Sequence, residues 1–208
     1  MTTKLGLYNE ALREIGERRL ASLTEAQPMR YRLDDVYTSA IRYVLEQGLW
    51  NTAMRSIELP AQVSIDPNFG YDYAFEQPSD LVRLAALCSD ASMIETVREY
   101  ADERGYWWAN VAPLYVSYVS DDTEYGLDLS RWPETLARFA ALELAERIVV
   151  PGTASESKLE RIDKMRKRAL IDARSKDAMS GPNRKGVRSS WLQARMSGSS
   201  LDGTGRGL

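Results

Sequence analysis

The 208-residue chain has no histidine and one cysteine, Cys88. The first absence excludes imidazole-ligated zinc and histidine-dependent nucleophilic triads. The second excludes an intrachain disulfide and a cysteine-based metal cage, and fits a reducing compartment. Phenylalanine is scarce as well: three residues stand against eleven tyrosines and five tryptophans, so the aromatics are amphipathic and suit interfaces as well as cores. No apolar run approaches the roughly 18 residues of a membrane span, and the N-terminus has no signal-peptide apolar segment. The expectation is a protein made in cytoplasm, with no membrane role. The glycines match neither a phosphate loop nor a dinucleotide fingerprint. There is no serine nucleophile elbow, no calcium-loop spacing and no internal repeat.

Charge is present but unevenly placed. Residues 1–156 carry 14 basic and 25 acidic side chains, whereas residues 157–208 carry 13 basic and 5 acidic. An acidic body with a basic C-terminal arm suits docking on an acidic partner or on nucleic acid; the plainer alternative is a solvated helix and a solubilising tail. Carboxylate pairs occur at Glu10/Glu14 and Glu143/Glu146. Glycosidase chemistry needs one desolvated member of such a pair. Nothing in the sequence singles one out, so both read as solvated faces. Phosphate tracking by the basic end with Trp191 stacking on a base is a further alternative, against which the acidic body weighs. The expectation is a protein that is not an enzyme and holds neither cofactor nor metal.

The length suits one core with appendages. A first helix is expected over about Lys4–Ile15, with Thr3 as N-cap, Gly16 as C′ stop and Leu5, Tyr8, Leu12 and Ile15 as its buried stripe. Leu20 and Leu23 of the following connection should tuck onto it. Pro28 suits the first turn of a long second helix whose stripe runs through Leu33, Val36, Tyr37, Ala40, Ile41, Val44 and Leu45. Helical structure thus covers about residues 4–49, and Trp50 is expected to be a core anchor where helix meets sheet.

From about residue 53 to 120 the period becomes two. Alternation at 54–59, a further short strand over Leu84–Leu87, a hairpin over Thr96–Asn110 and alternation at 113–120 give four or five short strands, enough for one small antiparallel sheet. Within this region, Tyr71, Tyr73 and Phe75 are expected on one face of a strand that Pro78 ends, with Ser79 capping a short helical turn carrying Leu81, Val82 and Leu84. Helical period returns at Asp128. Ser130 is the expected cap of a helix over 133–149 with Leu136, Phe139, Ala140, Leu144, Ala145 and Ile148 buried. A last helix over 157–179 has a narrow stripe (Leu159, Ile162, Met165, Ala169, Ala173) and otherwise basic faces. Residues 1–180 then form the body, and 181–208, rich in Gly and Ser, an arm that composition makes disordered in isolation. The fold class is α+β: an antiparallel bundle of about four helices, an inserted small antiparallel β region and an extended C-terminal arm.

The order ALREIGERRLASLTE, LEQGLWNTAMRSIEL, YDYAFEQPSDLVRL and YVSYVSDDTEYGLDLSRWPETLARFAALELAERIV resembles the tail tubular protein A family of tailed bacteriophages. The likeness covers about residues 5–180, and its most specific part is the segment Tyr71–Leu84. It makes Trp50, Tyr71, Tyr73, Pro78 and Trp132 packing anchors rather than chemical residues. It implies a virion protein at the head–tail junction. Such a protein assembles as a homo-oligomeric, dodecameric ring below the portal protein, extends the DNA channel and offers a platform to the next tail component, a nozzle or tail tube. Double-stranded DNA would pass through without sequence-specific binding. The arm residues Arg184, Lys185, Arg188, Trp191, Leu192 and Arg195 would then dock on the portal. The competing classes are a virion-associated cell-wall hydrolase and a DNA-binding packaging factor.

Overall fold

The computed structural model describes residues 1–67, 70–149 and 156–180. Four helices and two small antiparallel sheets make an α+β fold. Helix α1 spans Lys4–Ile15, where Thr3 Oγ1 accepts the Gly6 N–H and Gly16, at φ 77°, closes the C-terminus in the left-handed region that only glycine enters without strain. Helix α2 spans Pro28–Glu46, with proline in its first turn as expected. Leu20 tucks in, but Leu23 stays exposed.

Helix α3, Glu134–Ile148, packs against α1, α2 and the long α4, Glu156–Ser180. Being enclosed on three sides, α3 buries far more than the predicted stripe: Ala137, Ala141, Leu142 and the carboxylate of Glu143 are inside as well. Its start also differs from expectation. Pro133 occupies the cap position, and Ser130 sits in a preceding 3₁₀ turn, where Asp128 accepts its N–H at 3.1 Å. The hydroxyl that was to cap α3 is therefore already engaged with Asp128.

The β region holds six strands rather than four or five, and they form two sheets rather than one. Strands β1 (Met54–Leu59), β6 (Leu114–Ser120) and β3 (Leu81–Cys88) pair in the order β1-β6-β3. Strands β2 (Tyr73–Glu76), β5 (Tyr106–Ala109) and β4 (Tyr100–Glu103) pair in the order β2-β5-β4. The hairpin β4–β5 turns over Arg104 and Gly105, both at positive φ (54° and 80°), the conformation of a two-residue hairpin turn. It is shorter than expected, because Thr96 makes only an isolated bridge to Cys88.

Side chains alternate along β6, and this joins the halves of the molecule. Leu114, Val116 and Tyr118 meet Phe75, Trp107 and Ala109 of the other sheet in a second core. Val119, on the opposite face, belongs with Met54 and Val82 to the larger helical core. The expected helical turn at Leu81–Leu84 is instead the start of β3, which also takes in the strand expected over Leu84–Leu87. The apolar residues of β3 face both cores: Leu81 and Leu84 pack on one side and Val82 on the other. Register shifts after Leu81 and Leu84 further break the alternation, so no clean period survives in the sequence.

After β6 the chain doubles back so closely that Gly126 has no room for a side chain. A Cβ there would lie 2.1 Å from the Ser120 carbonyl oxygen and 2.9 Å from a Leu45 methyl. The Gly126 carbonyl also accepts the Trp132 indole N–H at 3.0 Å. Gly126→Ala is expected to cost about 2–3 kcal/mol through forced displacement of this loop. A thermal melt checks this, and an unchanged midpoint would show that the loop relaxes freely.

Candidate interaction surfaces

The segment Tyr71–Leu84 gains its meaning from Asp80, which the sequence reading passed over. Pro78 to Leu81 form a tight turn, closed by the Leu81 N–H on the Pro78 carbonyl at 3.1 Å. The turn aims the Asp80 carboxylate at β1 and β6. It accepts from Arg55 at 2.8 Å, from the Tyr118 hydroxyl at 3.0 Å, and from Ser120 Oγ. Burial alone would raise the Asp80 pKa, but the hydrogen bonds from Ser120, Arg55 and Tyr118 outweigh it and hold the carboxyl below its usual range. The Tyr118 phenol is pushed up, first by burial and then by Asp80. One carboxylate thus ties a turn to two strands, which is a structural use. The signal available in the sequence was the Pro-Ser-Asp triplet, whose residue types favour turns.

The predicted anchors separate. Trp50 is 1% exposed, and its indole N–H donates to the Val44 carbonyl at 2.9 Å. Trp132 is buried, and Pro78 lies in the turn, half-buried. Tyr71 precedes β2 and is only half-buried, and Tyr73 is exposed, its ring 6.5 Å from that of Phe75. These two tyrosines are therefore not core anchors. Strand β2 lies at a sheet edge, and Phe75 alone of the three aromatics reaches the core. The arm residues Arg184, Lys185, Arg188, Trp191, Leu192 and Arg195 lie outside the described residues.

The paired carboxylates resolve into two situations. Glu10 and Glu14 flank Arg13 at 3.4 and 3.5 Å on the surface of α1, and burial raises the Glu10 pKa. Glu143 is not on a solvated face: it is buried and held by Arg147 at 2.7 Å and Arg166 at 3.3 Å. Arg166 also pairs with Glu146 and with Asp163, so it neutralises the acidic group from the facing helix. Among the described residues, no group of three or more His, Cys, Asp or Glu side chains is arranged to hold a metal ion. No helix of the described residues is long and apolar enough to cross a membrane.

The basic faces of α4 are largely occupied by the protein itself. Lys158 and Arg161 donate to the carbonyls of Ile15 and Glu14 at the C-terminus of α1. Arg174 does the same for Gln47 beyond α2. Cations there complement the negative ends of the helix dipoles. Lys167 pairs with Asp163 at 2.7 Å. Lys164, Arg168 and Lys176 remain exposed and, among the described residues, unpaired. The sequence could not reveal this, because the capped carbonyls come from distant segments.

Where α2 and α4 end side by side there is an open cleft of about 540 Å³, lined by Gln47–Asn51, Arg83, Arg174, Asp177 and Ala178. Asp177 fixes one wall: its carboxylate accepts the Asn51 N–H at 3.0 Å, and its carbonyl accepts the Asn51 amide at 2.8 Å. Burial raises the Asp177 pKa, which the bonds from Asn51 partly offset. Arg83, held on the Glu46 carbonyl at 2.9 Å, forms the other wall. Comparison with protein-family models and with curated proteins finds no match to the chain.

Proposed function

We propose that this chain is a structural head–tail adaptor of a tailed bacteriophage and not an enzyme. It forms a ring below the portal protein, extends the DNA channel, and presents a platform to the next tail component. The observation that carries this reading is the segment YDYAFEQPSDLVRL, the most specific part of the resemblance to the tail tubular protein A family. Its polar hub, Asp80 with Arg55, Tyr118 and Ser120, is internally satisfied and serves packing, as an adaptor requires. In the finer architecture proposed, the helices are an antiparallel bundle that packs around the ring, and the β region faces the tail. Residues 181–208 are the portal-docking arm. Acidic surface on the body suits a channel wall that repels packaged DNA and lets it slide.

Truncation after Met179 is the test. The shortened protein is expected to keep the melting temperature of the full chain within about a degree, since both cores of the described residues are built without the residues it removes. Mixed with its phage's portal, full-length protein should give rings by electron microscopy and the truncated protein none. Rings that form equally well without the arm would remove the docking role. Absence of rings with full-length protein would remove the adaptor reading itself.

A further inference from the structure

The cleft where α2 and α4 end has an apolar floor and a cationic rim that the body leaves unused. Leu49 on the floor is 45% exposed. Arg83 and Arg174 are fixed at the rim by the carbonyls of Glu46 and Gln47, and neither is paired with a carboxylate among the described residues. The carboxylate of Asp177 is already engaged by Asn51. The cleft therefore suits an apolar side chain that brings negative charge beside it.

The loop 89–95, which follows β3, presents such a group. Ile94 is 77% exposed although it is wholly apolar. The loop holds it out in one shape: Asp90 Oδ1 accepts the N–H groups of Ile94 at 3.1 Å and Glu95 at 2.7 Å, and the Ser89 N–H donates to the Glu95 carbonyl at 3.0 Å. Met93 sits at φ 57°, a region that non-glycine residues rarely enter. A loop ordered in advance loses little entropy on docking. Residues 89–95 carry two carboxylates, Asp90 and Glu95, and no cation.

We propose that Ile94 of one copy of this chain seats on Leu49 in the cleft of a second copy, with Asp90 and Glu95 toward the two guanidiniums. A copy does not fill its own cleft. Arg83 stands near the start of β3 and the loop follows its end at Cys88, so roughly 20 Å of strand lies between them, at about 3.3 Å per residue. The Val97 N–H on the Leu87 carbonyl, at 2.8 Å, holds the loop at that far end. Loop and cleft are different surfaces, so the contact is head-to-tail and propagates into a ring or a filament. It is the subunit contact of the ring proposed above, and it rests on that reading for ring closure.

Sedimentation velocity of the full-length protein, without portal, tests the contact. The wild type is expected to associate as its concentration rises through the micromolar range, and less so at high salt. Ile94→Ser removes the apolar contact, and Ala178→Glu sets a carboxylate in the cleft against Asp90 and Glu95. Both positions are exposed, so both variants should melt as the wild type does. Each should weaken association by about tenfold or more. In an equimolar mixture, Ile94 of one variant still meets the intact cleft of the other, so heterodimers should form and nothing larger. A wild type that stays monomeric, variants that associate as the wild type does, or a mixture that behaves as its separate components would each overturn the proposal. The adaptor reading is judged separately, by the rings formed with portal.

Discussion

Trp50→Ala is expected to lower the melting temperature by roughly 8–16 °C, the equivalent of about 4 kcal/mol for a body of this size. The indole is 1% exposed at the point where α2 hands the chain to β1, and it belongs to the larger helical core. Two further contacts make the site intolerant of a smaller residue. The indole N–H satisfies the Val44 carbonyl in the last turn of α2, and the ring covers Gly48. Deletion leaves a cavity and removes one of the two hydrogen bonds on the Val44 carbonyl, which the Gln47 N–H also reaches at 3.2 Å, and the cavity adds to the loss of transfer free energy. Trp50→Phe should recover most of the packing but not the hydrogen bond, so its melt should fall between the two. A shift of under about one degree for Trp50→Ala would mean that the junction between α2 and β1 is not organised by this side chain.

Asp80→Ala is expected to cost about 3 kcal/mol, because it strands the donors of Arg55, Tyr118 and Ser120 around a largely buried position. Asp80→Asn should cost less, since an amide oxygen still accepts from Ser120 and Tyr118 while the charge opposite Arg55 is gone. The pH dependence follows from the direction of the shift. The folded-state carboxyl is held below its unfolded value of about 3.9, so its stabilisation is fully present above that pH and is lost as pH falls through the folded-state value. The difference in unfolding free energy between wild type and Asp80→Asn should therefore be constant near neutrality and shrink below about pH 4. A difference that persists unchanged into strong acid would show that the carboxylate is not the hub.

The helices were legible because each carries its own punctuation. Thr3 and Gly16 bracket α1, and Pro28 opens α2 as read from the sequence. The hairpin at Arg104-Gly105 and strand β6 were legible for a similar reason, since turn chemistry and strict alternation are local. Ser79 and Ser130 misled because a serine that can cap a helix can equally sit in a turn, and only the surrounding structure decides which. Ser79 lies in the turn closed by the Leu81 N–H on the Pro78 carbonyl, and Asp128 engages Ser130. Tyr73 misled because alternation assigns a face but says nothing about whether the strand is central. At the edge of its sheet, the ring stays exposed.

The candidate surfaces were less legible than the fold. The basic character of α4 was visible, but the sequence could not say that Lys158, Arg161 and Arg174 face the carbonyl ends of α1 and α2, more than a hundred residues away. Nor could it say that Arg166 reaches Glu143 and converts an apparent surface carboxylate into a buried ion pair. The cleft beside Leu49 exists only because α2 and α4 finish together.

By itself, the sequence determined the inventory. It has no histidine and one cysteine, so several chemistries are closed whatever the fold; its period changes at residues near 53 and 128, so helix gives way to strand and returns. Composition and period are local properties, and local rules suffice to read them. Tertiary structure decided how six strands divide into two sheets, that α3 is the enclosed helix, and that Asp80 is the joint between turn and sheet. Those outcomes depend on which apolar faces meet and which buried donors need an acceptor. That is settled only when segments far apart in the chain come within a few ångströms of one another.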